Sequence, residues 1–101
     1  MTENTLRLVE LIKSIPGGKV SSYGAIALAA GLPNGARQTV RVLHSLSEKF
    51  DLPWHRVIRS DGSIALMEGE GKELQIELLR AEGVKVSHNG KVDMKRYGYL
   101  F

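Results

Sequence analysis

One short run and one conspicuous absence bound the chemistry open to this chain. None of its 101 residues is cysteine, so disulfides, thiolate-held zinc and every thiol nucleophile are excluded. The histidines, His44, His55 and His88, lie far apart without HxxxH spacing, and no metal or other cofactor is expected. The run Pro53-Trp54-His55-Arg56-Val57-Ile58 sets an indole, an imidazole and a guanidinium side by side. Upstream, Arg37 and Arg41 stand at i, i+4, the spacing that puts two cations on one helix face.

The charge distribution points to the partner. Net charge is +3, unevenly spread. Lys19, Arg37, Arg41, Lys49, Arg56 and Arg59 outweigh Glu48 and Asp51 over residues 16–60. Residues 61–82 are acidic, with only Lys72 and Arg80 as bases, and the segment after 82 is basic again. A basic half set against an acidic one suits a polyanion, DNA or RNA; the bland alternative is an ordinary solvated surface.

The elements that must position these residues are mainly helical. Leu8, Leu11, Ile12 and Ile15 recur at i, i+3, i+4, i+7, which predicts an amphipathic helix over 3–14, stopped by Pro16-Gly17-Gly18. Ser21 or Ser22 caps a second helix from Tyr23 to Ala30, ended by Gly31. After Leu32-Pro33, Asn34 is expected to cap a third helix running to Lys49. Ala36, Val40, Leu43 and Phe50 would line one side of it, and Arg37, Gln38, Arg41, Ser45 and Glu48 another. Helix, tight turn, helix over 21–49 is a helix-turn-helix signature, and two arginines near the start of its second helix fit a recognition helix. Residues 53–58 read as a turn entering a buried strand, 60–62 as a turn, 67–71 as a loop, and 72–82 as a helix with Leu74, Leu78 and Leu79 inward. Asn89-Gly90 suggests a type I′ hairpin. The expected fold is therefore α+β, mainly α with a small β element, as a helix-turn-helix (winged-helix-like) DNA-binding domain spanning 1–101. The N-terminus lacks a signal-peptide pattern and no run has the ~20 apolar residues of a membrane span. A soluble, cytoplasmic, nucleoid-associated monomer is expected.

A family resemblance rests on several of these motifs. Ile15-Pro16-Gly17-Gly18-Lys19-Val20-Ser21-Ser22-Tyr23-Gly24, Gly31-Leu32-Pro33, Ala36-Arg37, Pro53-Trp54-His55-Arg56-Val57-Ile58, Asp61-Gly62 and Leu78-Leu79-Arg80-Ala81-Glu82-Gly83 follow one another. In order and spacing they resemble the DNA-binding domain of O6-alkylguanine-DNA alkyltransferases. In those enzymes the residue between proline and histidine is the acceptor cysteine; here it is Trp54. With the ending Val92-Asp93-Met94-Lys95-Arg96-Tyr97, this substitution resembles the alkyltransferase-like proteins, which bind O6-alkylguanine without repairing it and pass it to nucleotide excision repair.

The resemblance implies roles for named residues. Arg37 matches the finger that fills the gap left by a flipped base, and Tyr23 the tyrosine against that base and its 3′ phosphate. Arg41 would add a DNA contact in the minor groove, and Leu43 an apolar surface against the lesion. The carbonyls of Trp54 and Val57 match those that accept from the guanine amino group. His55, Arg56 and Glu82 match a thiol-activating set and, with no thiol to activate, are expected to be structural pocket support. Two departures stand out: Leu46-Ser47 replaces the enzymes' Asn-Pro, and the pocket-wall loop reads Met67-Glu68-Gly69-Glu70-Gly71. Alkyl transfer needs a strong nucleophile, and indole offers only an N–H donor because its lone pair belongs to the ring. The expectation is a non-enzymatic sensor of double-stranded DNA containing O6-alkylguanine, with nucleotide excision repair damage-recognition proteins as partners. The alternatives are a helix-turn-helix transcriptional regulator and a DNA-binding adaptor without lesion specificity.

Overall fold

Helix starts and stops follow local chemistry through most of the chain, whose residues 1–101 are all described by a computed structural model. Helix α1 runs Glu3–Ser14; the Thr2 hydroxyl caps it by accepting from the Thr5 N–H at 3.2 Å. Its stripe of Leu8, Val9 and Ile12 is buried, and the chain turns extended at Ile15 ahead of Pro16. Strand β1, Ser21–Ser22, leads directly into α2, Tyr23–Ala29, which Ser22 caps through the Ala25 N–H. Helix α2 ends one residue short of the expected Ala30, which is its C-cap.

The turn into α3 differs from expectation. Helix α3 spans Ala36–Phe50 with Gly35, not Asn34, as N-cap, and no side chain caps it. The Gly35 N–H bonds the Leu32 carbonyl at 2.9 Å, closing a turn so tight that a Cβ at Gly35 would sit 2.7 Å from the Leu32 Cβ. Geometry, not side-chain capping, therefore selects the residue there. The inward face of α3 also differs: Thr39 and Val42 are its buried residues, whereas Ala36 is exposed and Val40, Leu43 and Phe50 are half-buried. Thr39 wins an interior place because its hydroxyl donates to the Tyr23 carbonyl at 3.1 Å, pinning α3 to the first turn of α2. Asp51 in the left-handed region ends the helix, and the Leu52 N–H returns to the Ser47 carbonyl.

Downstream, a 3₁₀ turn over Trp54–Arg56 delivers strand β2, Val57–Ile58, which pairs in parallel with β1 in the register Ser21–Val57 and Ser22–Ile58. Helix α4 covers Lys72–Ala81 and a short α5 covers Met94–Tyr97. The inward face of α4 is Gln75 and Leu79, while Leu74 is 49% exposed, contrary to its expected burial. The C-terminal hairpin is not type I′, since that turn needs positive φ at both central residues and only Gly90 of the Asn89-Gly90 pair has it. Ser87 pairs with Lys91 instead, and the Gly90 N–H bonds the Ser87 carbonyl. The turn at Arg59–Ser63 repeats this pattern, with Gly62 in the left-handed position.

The resulting molecule is mostly helical with one small two-stranded sheet, and α2–turn–α3 is its helix-turn-helix unit. One apolar cluster joins α1, α2 and α3 around Leu8, Ile12, Ile26 and Val42; another joins β2, α4 and the C-terminal hairpin around Ile58, Leu79 and Val92. Their shared seam is the β1–β2 ladder, which fixes where the residues after Pro53 must lie. No helix is long and apolar enough to cross a membrane.

Candidate DNA-lesion site

A cavity of about 430 Å³ opens where α3, the 3₁₀ turn and α4 converge, within the ~300–1,000 Å³ usual for small-ligand pockets. Helix α3 supplies Val40, Leu43, His44 and Ser47, an i, i+3, i+4, i+7 stripe that a single helix face must present. Tyr23 enters from the start of α2, and Trp54 and Val57 from the turn and β2. Leu66, Glu70 and Gly71 come from the wall loop, and Leu74 and Gln75 from α4. Burial raises the Tyr23 phenol above its usual pKa, with the Arg59 charge opposing, so it faces the cavity protonated. Leu74 is exposed because it borders this opening.

The segment carrying Trp54 is held from behind. The Gln75 amide, on a side chain 2% exposed, donates to the His55 carbonyl at 3.1 Å and the Val57 carbonyl at 3.2 Å. The Val57 N–H meets the Trp54 carbonyl. Both carbonyls that the resemblance assigns to base recognition thus already accept one bond, and each keeps a second lone pair. Glu82 forms the second brace. It accepts from the Arg56 Nε at 3.0 Å, pairs with the Arg56 Nη2, and meets the His55 Nε2 at 3.1 Å. Arg56 also donates to the Ile15 carbonyl at 2.8 Å, tying the turn to the end of α1. The Arg56 bonds, ahead of those from His55 and against the cost of burial, lower the Glu82 carboxyl to about 2. This ion pair lies behind the cavity: none of His55, Arg56 and Glu82 lines it.

The structure therefore sorts the residues singled out in the sequence. Tyr23, Leu43, Trp54 and Val57 come together in one cavity. His55, Arg56 and Glu82 come together behind it. Arg37 is exposed and heads the α3 stripe one turn before Val40, whereas Arg41 faces a separate groove beside Thr2, Asn4 and Thr5 at the start of α1. Sequence reasoning missed Gln75, hidden as a polar residue at an apolar position of α4, and Thr39. It also missed His44, and it marked Ser47 only as a departure from the enzymes' Asn-Pro, although their i+4 and i+7 spacing from Val40 was a usable signal. No group of three His, Asp or Glu side chains is placed to hold a metal ion.

The family model described as the DNA-binding domain of 6-O-methylguanine DNA methyltransferase matches residues 3–84. A protein of Escherichia coli (strain K12) named DNA base-flipping protein is 44% identical over 95 residues, 94% of this chain and 73% of its own. Alkyltransferase-like protein 1 of Schizosaccharomyces pombe is 38% identical over 87 residues, 85% of this chain and 81% of its own. The crystal structure of S. pombe Atl1 in complex with damaged DNA containing O6-carboxymethylguanine superposes with a TM-score of 0.88 at 33% identity, covering 100% of this chain and 98% of that one.

Proposed function

Starting from the chain's membership of the 6-O-methylguanine DNA methyltransferase DNA-binding-domain family, we propose that it recognises O6-alkylguanine in duplex DNA and holds the flipped base without removing the alkyl group. One observation carries the reading: the cavity wall that follows Pro53 is the indole of Trp54, in a chain with no cysteine. An indole there can cover an apolar substituent but cannot displace it, because its nitrogen lone pair is committed to the ring. The names of the relatives, a base-flipping protein and an alkyltransferase-like protein, support binding over transfer.

In this reading α3 is the recognition helix and enters the minor groove. That groove's degenerate code suits scanning without sequence preference, and a side chain inserted between base steps there kinks the duplex. Arg37 stacks in the gap left by the flipped nucleotide, which offsets unstacking of a few kcal/mol. Tyr23 and Trp54 flank the base, Leu43 covers the alkyl group, and the free lone pairs of the Trp54 and Val57 carbonyls meet the guanine amino group. Arg41 contacts the backbone. His55, Arg56 and Glu82 act on the DNA only by holding the turn in place. A sequence-specific regulator would have no use for a base-sized cavity beside the recognition helix. The test is affinity for duplexes differing only in guanine or O6-methylguanine at matched salt, followed by analysis of the recovered DNA. The lesion duplex should bind more tightly and keep its methyl group; equal affinities overturn recognition, and a lost methyl overturns the non-enzymatic reading.

A sensor that leaves its lesion intact needs a successor. A flipped base in bent DNA resembles a bulky lesion far more than a methyl group does, so the bound complex is a substrate that nucleotide excision repair can detect. Survival after methylating treatment should fall equally in hosts lacking this gene, the excision damage-recognition gene, or both. Independent, additive losses would place the protein outside that pathway.

A further inference from the structure

All but three of the arginines have a partner inside the protein. Arg7 pairs with Glu3, Arg56 pairs with Glu82, Arg80 donates to the Val86 carbonyl at 2.7 Å, and Arg96 lies over the Tyr97 ring. Arg37, Arg41 and Arg59 are exposed, and their side chains make no hydrogen bond or ion pair with the rest of the chain. The proposed reading employs the first two and leaves Arg59 without a task. The small sheet sets its place. The β1–β2 register pairs Ser21 with Val57 and Ser22 with Ile58, so the next step brings Arg59 beside Tyr23. Side chains alternate along a strand. Val57 lines the cavity and Ile58 is buried in the other cluster, so Arg59 returns to the cavity side, at the rim beyond the lining residues. Its backbone is held there, the N–H by the Ser63 carbonyl at 3.0 Å and the carbonyl by the Gly62 N–H at 2.9 Å. Asp61 does not claim the guanidinium, since its carboxylate takes its bonds from the Ser63 N–H at 2.9 Å and the Ser63 hydroxyl at 2.6 Å. The Arg59 charge does reach the Tyr23 phenol, where it opposes the larger effect of burial.

A base seated between Tyr23 and Trp54 leaves its sugar and flanking phosphates outside the opening, at that rim. Resting on the reading that a flipped O6-alkylguanine occupies this cavity, we infer that Arg59 binds a phosphate flanking the flipped nucleotide, next to Tyr23. A guanidinium meets phosphate with two parallel N–H bonds, and Arg59 can give both because no group in the protein competes for them. Its task differs from that of Arg37. Arg37 fills the gap in the duplex, whereas Arg59 holds the backbone of the nucleotide that has left it. A nucleotide still stacked in the duplex does not bring its phosphate to the cavity rim. The contact therefore belongs to the flipped state and adds to lesion preference more than to general affinity for DNA.

The test uses the full chain and two duplexes identical except for guanine or O6-methylguanine at one position, with affinities measured from about 50 to about 200 mM salt. The native protein is compared with Arg59→Gln and Arg59→Lys. Arg59→Gln should weaken binding of the lesion duplex about tenfold at the low-salt end, the worth of a charge-assisted bond. It should also make log affinity fall less steeply with log salt, by about 0.9, the counterions of one phosphate. The deficit then shrinks to about threefold at the high-salt end. Arg59→Lys keeps the charge and should keep the native slope. On the guanine duplex, Arg59→Gln should change the slope much less. An unchanged slope on the lesion duplex, an equal change on both duplexes, or a lysine variant that behaves like the glutamine one overturns the assignment to Arg59. If the native protein binds the two duplexes alike, the lesion-binding reading itself fails, and this inference with it.

Discussion

Replacing Glu82 by glutamine tests whether the residues after Pro53 are held by charge. The carboxyl sits at about 2 against an ordinary 4.5, chiefly through its Arg56 bonds. That gap corresponds to about 3 kcal/mol of native-state preference for the carboxylate. The side chain is 21% exposed, so screening by solvent brings a working figure to about 2 kcal/mol. The sign follows from a folded pKa lying below the unfolded one. The contribution is complete at neutral pH, begins to fade as pH falls below the ordinary value of 4.5, and is lost through the folded value near 2. Glu82→Gln keeps the shape and removes the charge. It should lower unfolding free energy by about 2 kcal/mol at pH 7, and the difference from the native protein should fall below half by about pH 3. Urea titrations at several pH values, followed by Trp54 emission and helical circular dichroism, measure both. A gap that stays constant with pH, or no gap at pH 7, would show that the Arg56–Glu82 pair does not brace the turn electrostatically.

Four further substitutions, at three residues, separate binding from support. Arg37→Ala should weaken lesion binding by about 1–3 kcal/mol, the worth of a stacking contact with the bases, while the urea midpoint stays put because Arg37 is exposed; normal lesion affinity would remove it from the finger role. Trp54→Ala should cut the ratio of lesion to normal affinity through about 1–3 kcal/mol of lost apolar burial. Trp54→Cys should show little methyl transfer, because Leu46 and Ser47 stand where the enzymes carry Asn-Pro; rapid transfer by that variant would mean that only the nucleophile had been lost. Gln75→Leu should cost about 1–3 kcal/mol of stability by stranding the buried carbonyl bonds, and an unchanged urea midpoint would show that they are satisfied otherwise.

Much of this was legible before any coordinates. The α1 stripe announced itself because Leu8, Ile12 and Ile15 recur at helical spacing and are buried, and Ser22 caps α2 as its type and place suggest. The family and the helix-turn-helix arrangement were readable from short motifs in order, and the family match and the superposition agree with them. What escaped was decided by tertiary contacts. Gln75 and Thr39 are polar residues that are buried because carbonyls on other elements need their hydrogens. Leu74 is apolar yet exposed because it borders a cavity rather than a core. Asn89-Gly90 suggested a two-residue turn, but pairing with the Gly62–Ile64 segment sets the register through Ser87 and Lys91. The parting of Arg37 from Arg41 could not be read from spacing either, since both lie on the exposed half of α3 and only the position of α1 tells them apart.

Trp54 is the chain's only tryptophan and lines the proposed base site, so its emission reports on that site alone. The decisive measurement is a fluorescence titration with two duplexes that differ in a single O6-methyl group. Trp54 emission should change saturably with the methylated duplex, as an aromatic base stacks in the cavity. The change should be much smaller with the unmodified duplex at protein and DNA concentrations where both are bound. The same emission change with both duplexes, or no change while the methylated duplex is bound, would contradict the claim that this cavity receives the lesion.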